Sequence, residues 1–354
     1  MPAGARARHA CTRISLQLSP MSSEQRTAQP RPLAAYPSSY NSPEAMVKVQ
    51  TIALAGVGSL GRYLFEEISK DSRYSVIVLS RQDLVNGVDT RQIRVTDYTE
   101  ASVRSILDAS RASTLISTIQ CADETYVPLH TGLLNACLLS ATCKRFIPSE
   151  FAGNVEAFPH LPRAYSVTRT PFRETLRQAR GVEWTSFNMG WFMDYFVPQD
   201  KTLIRHVPGE FPIDLASWRY TVRGTGEELQ SFTCARDVAK AIAELLQAPI
   251  WDEVTYVAGE FASFNKAARI LEEFYGRPLH RSFRSEADIQ ASLEKHANHG
   301  GCNGRAIAEA EELTISGACC CPPEKTLRQR SQFFGAVHFV DLRTLLQKTE
   351  SSDM

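Results

Sequence analysis

The segment that most constrains the fold is a glycine-rich loop, Gly56-Val57-Gly58-Ser59-Leu60-Gly61, between an apolar run at 52–55 and a helical pattern that begins near Leu60. In such a loop the first glycine permits a tight turn, the second lets a phosphate approach the backbone, and the third lets helix and strand pack closely. The helix N-terminus attracts the anion. The loop therefore predicts dinucleotide binding by Gly56, Gly58, Ser59, Leu60 and Gly61. A glycine turn that serves packing alone is the alternative.

Short apolar runs alternate with longer helical patterns from residue 47 onward. This alternation is typical of βαβ units around a parallel sheet. The predicted strands cover 49–55, 75–79, 92–95, 114–119, 145–147 and 183–188. The predicted helices cover 60–69, 101–110, 126–141, 165–179, 237–246 and 265–275. We therefore predict an α/β protein that has a Rossmann doubly wound parallel sheet and a smaller substrate-binding portion.

The same patterns suggest domain boundaries. Residues 1–45 show no helical or strand period and are predicted to be a disordered extension, although their arginines also suit a mitochondrial transit peptide. An NADP-binding Rossmann domain is predicted over 46–190, with 231–259 returning to it. The ranges 191–230 and 260–349 are assigned to a substrate-facing portion.

The end of the second predicted strand indicates which dinucleotide the chain prefers. A loop that binds NAD is followed about twenty residues later by an acid that binds the ribose 2′-hydroxyl. This chain instead has Ser80 and Arg81 there. A guanidinium beside a hydroxyl can hold a 2′-phosphate through charge-assisted hydrogen bonds, which favours NADP. The alternative is a solvated surface arginine, and pairing with Asp83 would weaken the assignment.

Composition excludes several classes of protein. Lys+Arg 39 against Asp+Glu 39 gives a formal net charge of +0, so a nucleic-acid partner is disfavoured. No apolar run approaches the roughly 20 residues that span a bilayer. The 9 cysteines show no C-x-x-C spacing, which indicates free thiols in a reducing compartment, and we expect a cytoplasmic protein.

One cluster near the C-terminus resembles a metal site. His296, His299 and Cys302 are followed by Cys319, Cys320 and Cys321. A structural zinc site needs four Cys or His ligands arranged as a tetrahedron, and three consecutive cysteines cannot readily all converge on one ion. We therefore expect no metal and interpret this stretch as an unusual or partly disordered tail.

Further segments carry a resemblance to a known family. They are 144–151 (Lys-Arg-Phe-Ile-Pro-Ser-Glu-Phe), Trp184-Thr185, 190–196 (Gly-Trp-Phe-Met-Asp-Tyr-Phe) and 257–260 (Val-Ala-Gly-Glu). With the glycine loop, they make residues 49–276 resemble the NmrA-like and isoflavone-reductase-like branch of the atypical short-chain dehydrogenases. The resemblance implies a Rossmann fold that binds NADP(H), with Pro148, Ser149, Glu150 and Phe151 near the nicotinamide. Thr118 is a further candidate cofactor-binding residue.

The chain departs from the reductive members of that family at the expected catalytic lysine, because no lysine lies between Lys144 and Lys201. Arg169 is the closest substitute, but a guanidinium with a pKa above about 12 cannot donate its proton near neutrality. Tyr165 lies four residues earlier, so on a helix the two would share a face, and the arginine could make the phenol a stronger acid. Pro171 raises the alternative that the helix starts near residue 170 and both residues lie in a loop.

The resemblance and the sequence leave three functions open. The first is an NADP-dependent oxidoreductase that reduces a carbonyl or activated double bond of a small secondary metabolite, with aromatic residues lining the cleft. Candidates for that lining are Trp191, Phe192, Tyr195, Phe196, Phe211 and Trp218; Phe151, Trp191 and Phe192 also suit a purely structural core. The second is a non-catalytic, NAD(P)-sensing co-regulator that resembles NmrA and acts on a protein partner. The third is a structural protein with a vestigial cofactor site.

Overall fold

The glycine loop leads into a six-stranded parallel sheet in the computed structural model, which describes residues 49–121, 123–299 and 302–351. The interpretation of 1–45 as a disordered extension lies outside the described residues. The spatial order of the strands is β3-β2-β1-β4-β5-β6, and every neighbouring pair is parallel. The strands are β1 (Gln50–Ala55), β2 (Tyr74–Ser80), β3 (Ile93–Val95), β4 (Ala112–Ser117), β5 (Arg145–Ile147) and β6 (Glu183–Trp184).

Helices cover both faces of this sheet because successive strand residues point to opposite sides. On one face Ile52 and Leu54 pack with helices α1 and α5. On the other face Ala53 and Ala55 pack with α2, α3 and α4. These helices are α1 (Ser59–Lys70), α2 (Glu100–Ser110), α3 (Tyr126–Leu139), α4 (Arg169–Gln178) and α5 (Ala235–Leu245). The predicted doubly wound α/β fold is confirmed.

Eight shorter strands follow the main sheet in the described part of the chain. A two-stranded pair joins β7 (Ser186–Asn188) to β12 (Val254–Tyr256) in parallel. Two three-stranded sheets have the orders β13-β11-β8 and β14-β10-β9. Their strands are β8 (Trp191–Phe192), β9 (Ile213–Asp214), β10 (Arg219–Arg223), β11 (Gln230–Thr233), β13 (Glu260–Ala262) and β14 (His280–Arg284). An aromatic core, which includes Phe196, Phe232 and Phe264, packs this region. The domain boundaries drawn from the sequence stay a prediction.

The C-terminal part of the chain is helical. Its helices are α6 (Phe264–Tyr275), α7 (Glu286–His299), α8 (Cys302–Ser316), α9 (Pro323–Phe333) and α10 (Leu342–Glu350). The interpretation of the cysteine-rich stretch as a disordered tail is wrong, because Cys319 and Cys321 are both buried. The cysteines whose side chains are described are free thiols.

Two predicted elements differ from the structure. The strand expected over 183–188 is divided into β6 and β7, which pair with different neighbours. The helix expected over 165–179 begins only at Arg169, and Tyr165 lies in a separate 3-10 helix, Arg163–Ser166. Pro171 explains this break: its ring lacks an N–H and would clash with the carbonyl of residue 167 in a longer helix. None of the described helices is long and apolar enough to cross a membrane.

Candidate active site

The three glycines of the loop have different surroundings. Gly56 has φ +88°, a left-handed conformation that favours glycine. A methyl group on Gly61 would lie 2.4 Å from the carbonyl oxygen of Gly56 and 2.7 Å from Oγ1 of Thr118, so helix and strand pack too closely for a side chain. A methyl group on Gly58 would meet no described atom within 4 Å. Backbone conformation therefore explains the first glycine and close packing explains the third, while the open space at Gly58 fits an approaching phosphate.

Thr118 ties this loop to the end of β4. Its N–H donates to the carbonyl oxygen of Ala55 at 2.8 Å, and its hydroxyl donates to the carbonyl oxygen of Gly56 at 2.7 Å. The first turn of α1 contains no acidic side chain. The helix N-terminus is thus held in place and its partial positive charge is left uncompensated, which suits an anion.

Ser80 and Arg81 lie at the carboxyl end of β2, beside the glycine loop. Arg81 is exposed, and its guanidinium forms no hydrogen bond or ion pair within the described part of the chain. The pairing with Asp83 that would weaken the assignment is therefore absent among these residues. The neighbouring Tyr98 donates its hydroxyl hydrogen to the carbonyl oxygen of Leu79 at 2.6 Å. Burial raises the pKa of Tyr98 to about 12 although Arg81 acts in the opposite direction. The arginine is therefore free to bind an anionic ligand.

One cavity of about 1260 Å³ connects this region to the predicted catalytic residues. Such a volume exceeds the usual range for a drug-sized ligand, so it can hold a dinucleotide together with a small molecule. The predicted residues that line it are Gly56, Gly58, Ser59, Leu60, Ser80, Arg81, Thr118, Ser149, Glu150, Phe151, Tyr165 and Arg169. Gly61 and Pro148 do not line the cavity. Gly61 lies beneath the loop for the packing reason given above, and Pro148 is buried behind the wall.

The segment after β5 forms one wall of the cavity, and its conformation is fixed from inside the protein. Arg173 donates two hydrogen bonds to one carboxylate oxygen of Glu150, and the hydroxyl of Ser186 donates to the other. Phe151 has φ +49°, which is strained for a bulky residue, and its N–H donates to the carbonyl oxygen of Phe187 at 3.0 Å. The carboxylate of Glu150 is therefore committed to internal partners.

Tyr165 and Arg169 meet, but not through the shared helix face that their spacing predicted. The guanidinium carbon of Arg169 lies 4.8 Å from the ring centre of Tyr165 and 4.0 Å from that of Tyr126. Arg169 also donates to the carbonyl oxygen of Cys121. The guanidinium of Arg169 stacks on the rings of Tyr126 and Tyr165, and this contact rather than helical periodicity brings Arg169 and Tyr165 together. Their catalytic role stays a prediction.

The electrostatics of this pair correct one expectation. Burial raises the pKa of Tyr165, and the nearby Arg169 offsets this effect only in part. The arginine acts in the predicted direction, but desolvation of the phenolate outweighs the attraction of the cation, so the net shift of the Tyr165 pKa is opposite to the one expected. Arg169 itself is buried and has no carboxylate partner among the described residues, so it is a positive charge left uncompensated at the cavity.

Only half of the predicted aromatic lining faces the cavity. Trp191, Phe192 and Tyr195 line it, together with Phe151. Phe196 and Trp218 are instead buried in the aromatic core, and Phe211 packs against that core without lining the cavity. Phe196 lies one residue after Tyr195 in a 3-10 turn and points away from the cavity.

Sequence reasoning missed many residues of the cavity, among them Arg205, Glu210 and Cys319. Cys319 reaches the wall because the chain after α8 passes against two glycines. A methyl group on Gly153 would lie 2.1 Å from the carbonyl oxygen of Ala318, and one on Gly190 would lie 2.9 Å from that of Cys319. In the sequence, only these two glycines indicate a close backbone approach, and they do not identify the segment that approaches them.

The metal-like cluster gives no support for a metal site. Among the residues the structure describes, no group of three or more His, Cys, Asp or Glu side chains is placed to hold a metal ion. The side chains of His299 and Cys302, which belong to the predicted cluster, lie outside the described residues. The N–H of Cys321 donates to the hydroxyl of Ser231 at 2.9 Å, and the N–H of Ser231 donates to the carbonyl oxygen of Cys319 at 3.0 Å, so hydrogen bonds to Ser231 account for the position of this segment.

Comparison with known proteins identifies relatives along most of the chain. The chain is 35% identical to oxidoreductase swnR of Arthroderma benhamiae over 300 residues, which cover 82% of this chain and 95% of the relative. It is 36% identical to oxidoreductase swnR of Metarhizium robertsii over 310 residues, covering 85% and 98%. An isoflavone reductase homolog, A622 of Nicotiana glauca, is 24% identical and covers 69% of this chain and 80% of its own length.

The chain belongs to the NmrA-like and isoflavone-reductase-like family of oxidoreductases. The resemblance seen in the sequence is thereby confirmed. No protein-family model matches the chain. A solved complex of leucoanthocyanidin reductase with NADPH from Vitis vinifera has the same fold as this chain, with a TM-score of 0.66 and 15% sequence identity. The match covers 84% of this chain and 99% of the reductase.

Proposed function

We propose that the chain is an NADP-dependent oxidoreductase that reduces a carbonyl or an activated double bond of a small molecule. One observation carries the proposal: a single cavity contains the open glycine loop and unpaired Arg81 at one end, and Tyr165 with Arg169 at the other. The solved relative that shares the fold was determined with NADPH, which supports the same cofactor here.

The residues present fit NADP(H). The space above Gly58 and the N-terminus of α1 suit the pyrophosphate, and Arg81 suits the 2′-phosphate. Ser149 and Phe151 line the cavity between the loop and Tyr165, where the nicotinamide end would lie. When bound, NADPH supplies the hydride.

The chain's own residues then have two tasks. Arg169 cannot give up a proton near neutrality, but its uncompensated charge stabilises negative charge that develops on the substrate. Tyr165 supplies the proton. Its hydroxyl lies 3.5 Å from the carbonyl oxygen of Glu150, a long contact that can be exchanged for a substrate oxygen. Because the pKa of Tyr165 is raised, the phenol remains protonated near neutrality and its proton is present for transfer.

The second candidate function is the non-catalytic NAD(P) sensor with a protein partner. The observation that favours it is the absence of a lysine between Lys144 and Lys201, together with the raised pKa of Tyr165. In this alternative the same loop and Arg81 bind the dinucleotide, but no proton is delivered and no turnover occurs. The role in secondary metabolism and the cytoplasmic location stay predictions in either case.

The test separates the two functions. Purified protein is first titrated with NADPH by calorimetry, and the complex is then incubated with a panel of ketones, aldehydes and enones while the nicotinamide absorbance is followed. Loss of absorbance with a reduced product supports the reductase. Tight binding of NADPH without turnover on any compound favours the sensor, and failure to bind either dinucleotide overturns both.

A further inference from the structure

Two further charged side chains, Arg205 and Glu210, line the cavity. Among the described residues, neither the guanidinium of Arg205 nor the carboxylate of Glu210 forms a hydrogen bond or an ion pair, with each other or with any other group. Arg205 is exposed, whereas Glu210 is partly buried, so only the carboxylate loses much of its hydration. A desolvated charge without a partner is costly, and such charges are usually paired or serve a ligand.

Glu210 is held in a fixed position by a buried arginine. Arg223 donates to the carbonyl oxygen of Glu210 at 2.9 Å and to that of Gly209 at 2.6 Å. The same guanidinium donates to Oγ1 of Thr314 on α8 at 3.1 Å. The backbone that presents the carboxylate is therefore clamped between β10 and α8. The backbone of Glu210 is therefore a fixed part of the cavity wall.

Aromatic rings line the same cavity as this carboxylate. Tyr195 stacks on Phe211 with ring centres 4.9 Å apart, and Trp191 lies edge-on to Tyr195 at 6.5 Å. Glu210 directly precedes Phe211 in the chain, and its charge contributes to the raised pKa of Tyr195. Burial raises the pKa of Glu210 itself, although Arg205 and Arg223 act against this. Aromatic faces and a carboxylate that line one cavity form a combination that attracts organic cations.

We propose that Glu210, together with Trp191 and Tyr195, selects substrates that carry a positively charged nitrogen. Glu210 acts as a specificity residue: it binds the cationic group and leaves proton transfer to Tyr165. The inference rests on the proposed function, because it assigns the substrate class of the same cavity. The rival explanation is that Arg205 changes its side-chain conformation and neutralises Glu210 in solution.

The probe pair is phenyltrimethylammonium and tert-butylbenzene, which have the same shape and differ in charge. Calorimetry measures the dissociation constant of each, with and without saturating NADPH. We expect the cation to bind at least about tenfold more tightly, as one charge-assisted contact would give. Glu210→Gln should abolish that preference. Glu286→Gln, which removes an exposed carboxylate from α7, should keep it.

Equal dissociation constants for the two probes in the unchanged protein, or a preference that survives Glu210→Gln in a folded variant, would overturn the proposal. So would a preference that emerges only in Arg205→Ala, since Glu210 would then be neutralised in the native protein. Circular dichroism shows whether each variant is folded. If NADPH binds and the cation preference is absent, this inference alone fails; if the preference is present and NADPH does not bind, the proposed function fails.

Discussion

Glu150 and Arg173 form an ion pair that lies almost entirely inside the protein, with side-chain exposures of 2% and 5%. Nε of Arg173 donates to Oε1 of Glu150 at 2.6 Å, and the hydroxyl of Ser186 completes the set of partners. Because the pair joins α4 to the segment after β5, it fixes the cavity wall that lies beside Tyr165.

Removal of one partner of this pair should strongly destabilise the protein. Arg173→Met leaves the carboxylate of Glu150 buried and uncompensated, and we expect the free energy of unfolding to fall by about 3 to 5 kcal/mol. Arg177→Met breaks an exposed pair with Glu174 and should cost less than about 1 kcal/mol. Urea titration of both variants measures the difference. Similar losses in the two would show that the buried pair has no special role.

The glycine loop offers a matched pair of substitutions. Gly61→Ala places a methyl group against the backbone of Gly56 and should lower the free energy of unfolding by about 1 to 3 kcal/mol. Gly58→Ala meets open space, so the fold should keep its stability while NADPH affinity falls. Urea titration and calorimetry on both variants test this. A Gly58→Ala variant that binds NADPH like the parent would show that no phosphate approaches this residue.

Arg81 should determine the choice between the two nicotinamide dinucleotides. Arg81→Ala removes a charge-assisted contact worth roughly 1.5 to 3 kcal/mol, so the dissociation constant of NADPH should rise about ten- to a hundredfold. The constant for NADH should stay unchanged. Arg91→Ala, which removes an exposed arginine that pairs with Asp89, is the control and should leave both dissociation constants unchanged. Equal affinities for NADPH and NADH in the unchanged protein would refute the assignment.

Tyr165 should matter for turnover and not for cofactor binding. Tyr165→Phe removes the proton donor, and kcat should fall by about 10² to 10⁴ while the dissociation constant of NADPH stays nearly the same. Arg169→Lys retains the positive charge and should retain turnover, whereas Arg169→Met should lose it. Tyr275→Phe, on α6, is the control. If Tyr165→Phe and Arg169→Met both turn over like the parent, the pair has only a structural role.

Asp194 should make stability depend on pH. It is buried beside the start of α5, where it accepts a hydrogen bond from the N–H of Ala235 at 2.7 Å, and burial raises its pKa to about 6. The folded protein therefore holds this proton more tightly than the unfolded chain, whose aspartates titrate near about 4. The stability from protonated Asp194 is complete below about pH 4 and is lost as the pH rises through about 6.

The comparison with Asp194→Asn isolates this effect. The free energy of unfolding of the parent, minus that of the variant, should fall by about 2 to 3 kcal/mol as the pH rises from about 4 to 7. Asp200→Asn, an exposed substitution, should follow the parent. Urea titrations across this range provide the measurement, and a difference that is flat or increases with pH would contradict the assignment.

The parts of the site that could be predicted from the sequence are local. The loop from Gly56 to Gly61 and the end of β2 at Arg81 each depend on a few consecutive residues, so their spacing was sufficient. Tyr165 and Arg169 were predicted to meet for the wrong reason, since Pro171 interrupts the helix and stacking replaces periodicity.

The remaining parts depend on contacts between distant segments. Cys319 lines the cavity because its carbonyl oxygen accepts a hydrogen bond from the N–H of Ser231. The sequence of neither segment predicts that the two meet. The backbone of Glu210 is positioned by Arg223, whose guanidinium donates hydrogen bonds to the carbonyl oxygens of Gly209 and Glu210. Such tertiary contacts have no fixed sequence spacing, and only the folded chain shows them.

Because Ala318 and Cys319 form part of the cavity wall, a newly synthesised chain completes its cavity late. All six strands of the parallel sheet lie between residues 50 and 184, so the sheet and the glycine loop leave the ribosome early, and N-terminal parts of a chain fold first during synthesis. The wall is completed only when residues 318 and 319 emerge. A chain that ended ahead of Ala318 would contain every strand of the parallel sheet and the glycine loop, but it would lack this part of the cavity wall.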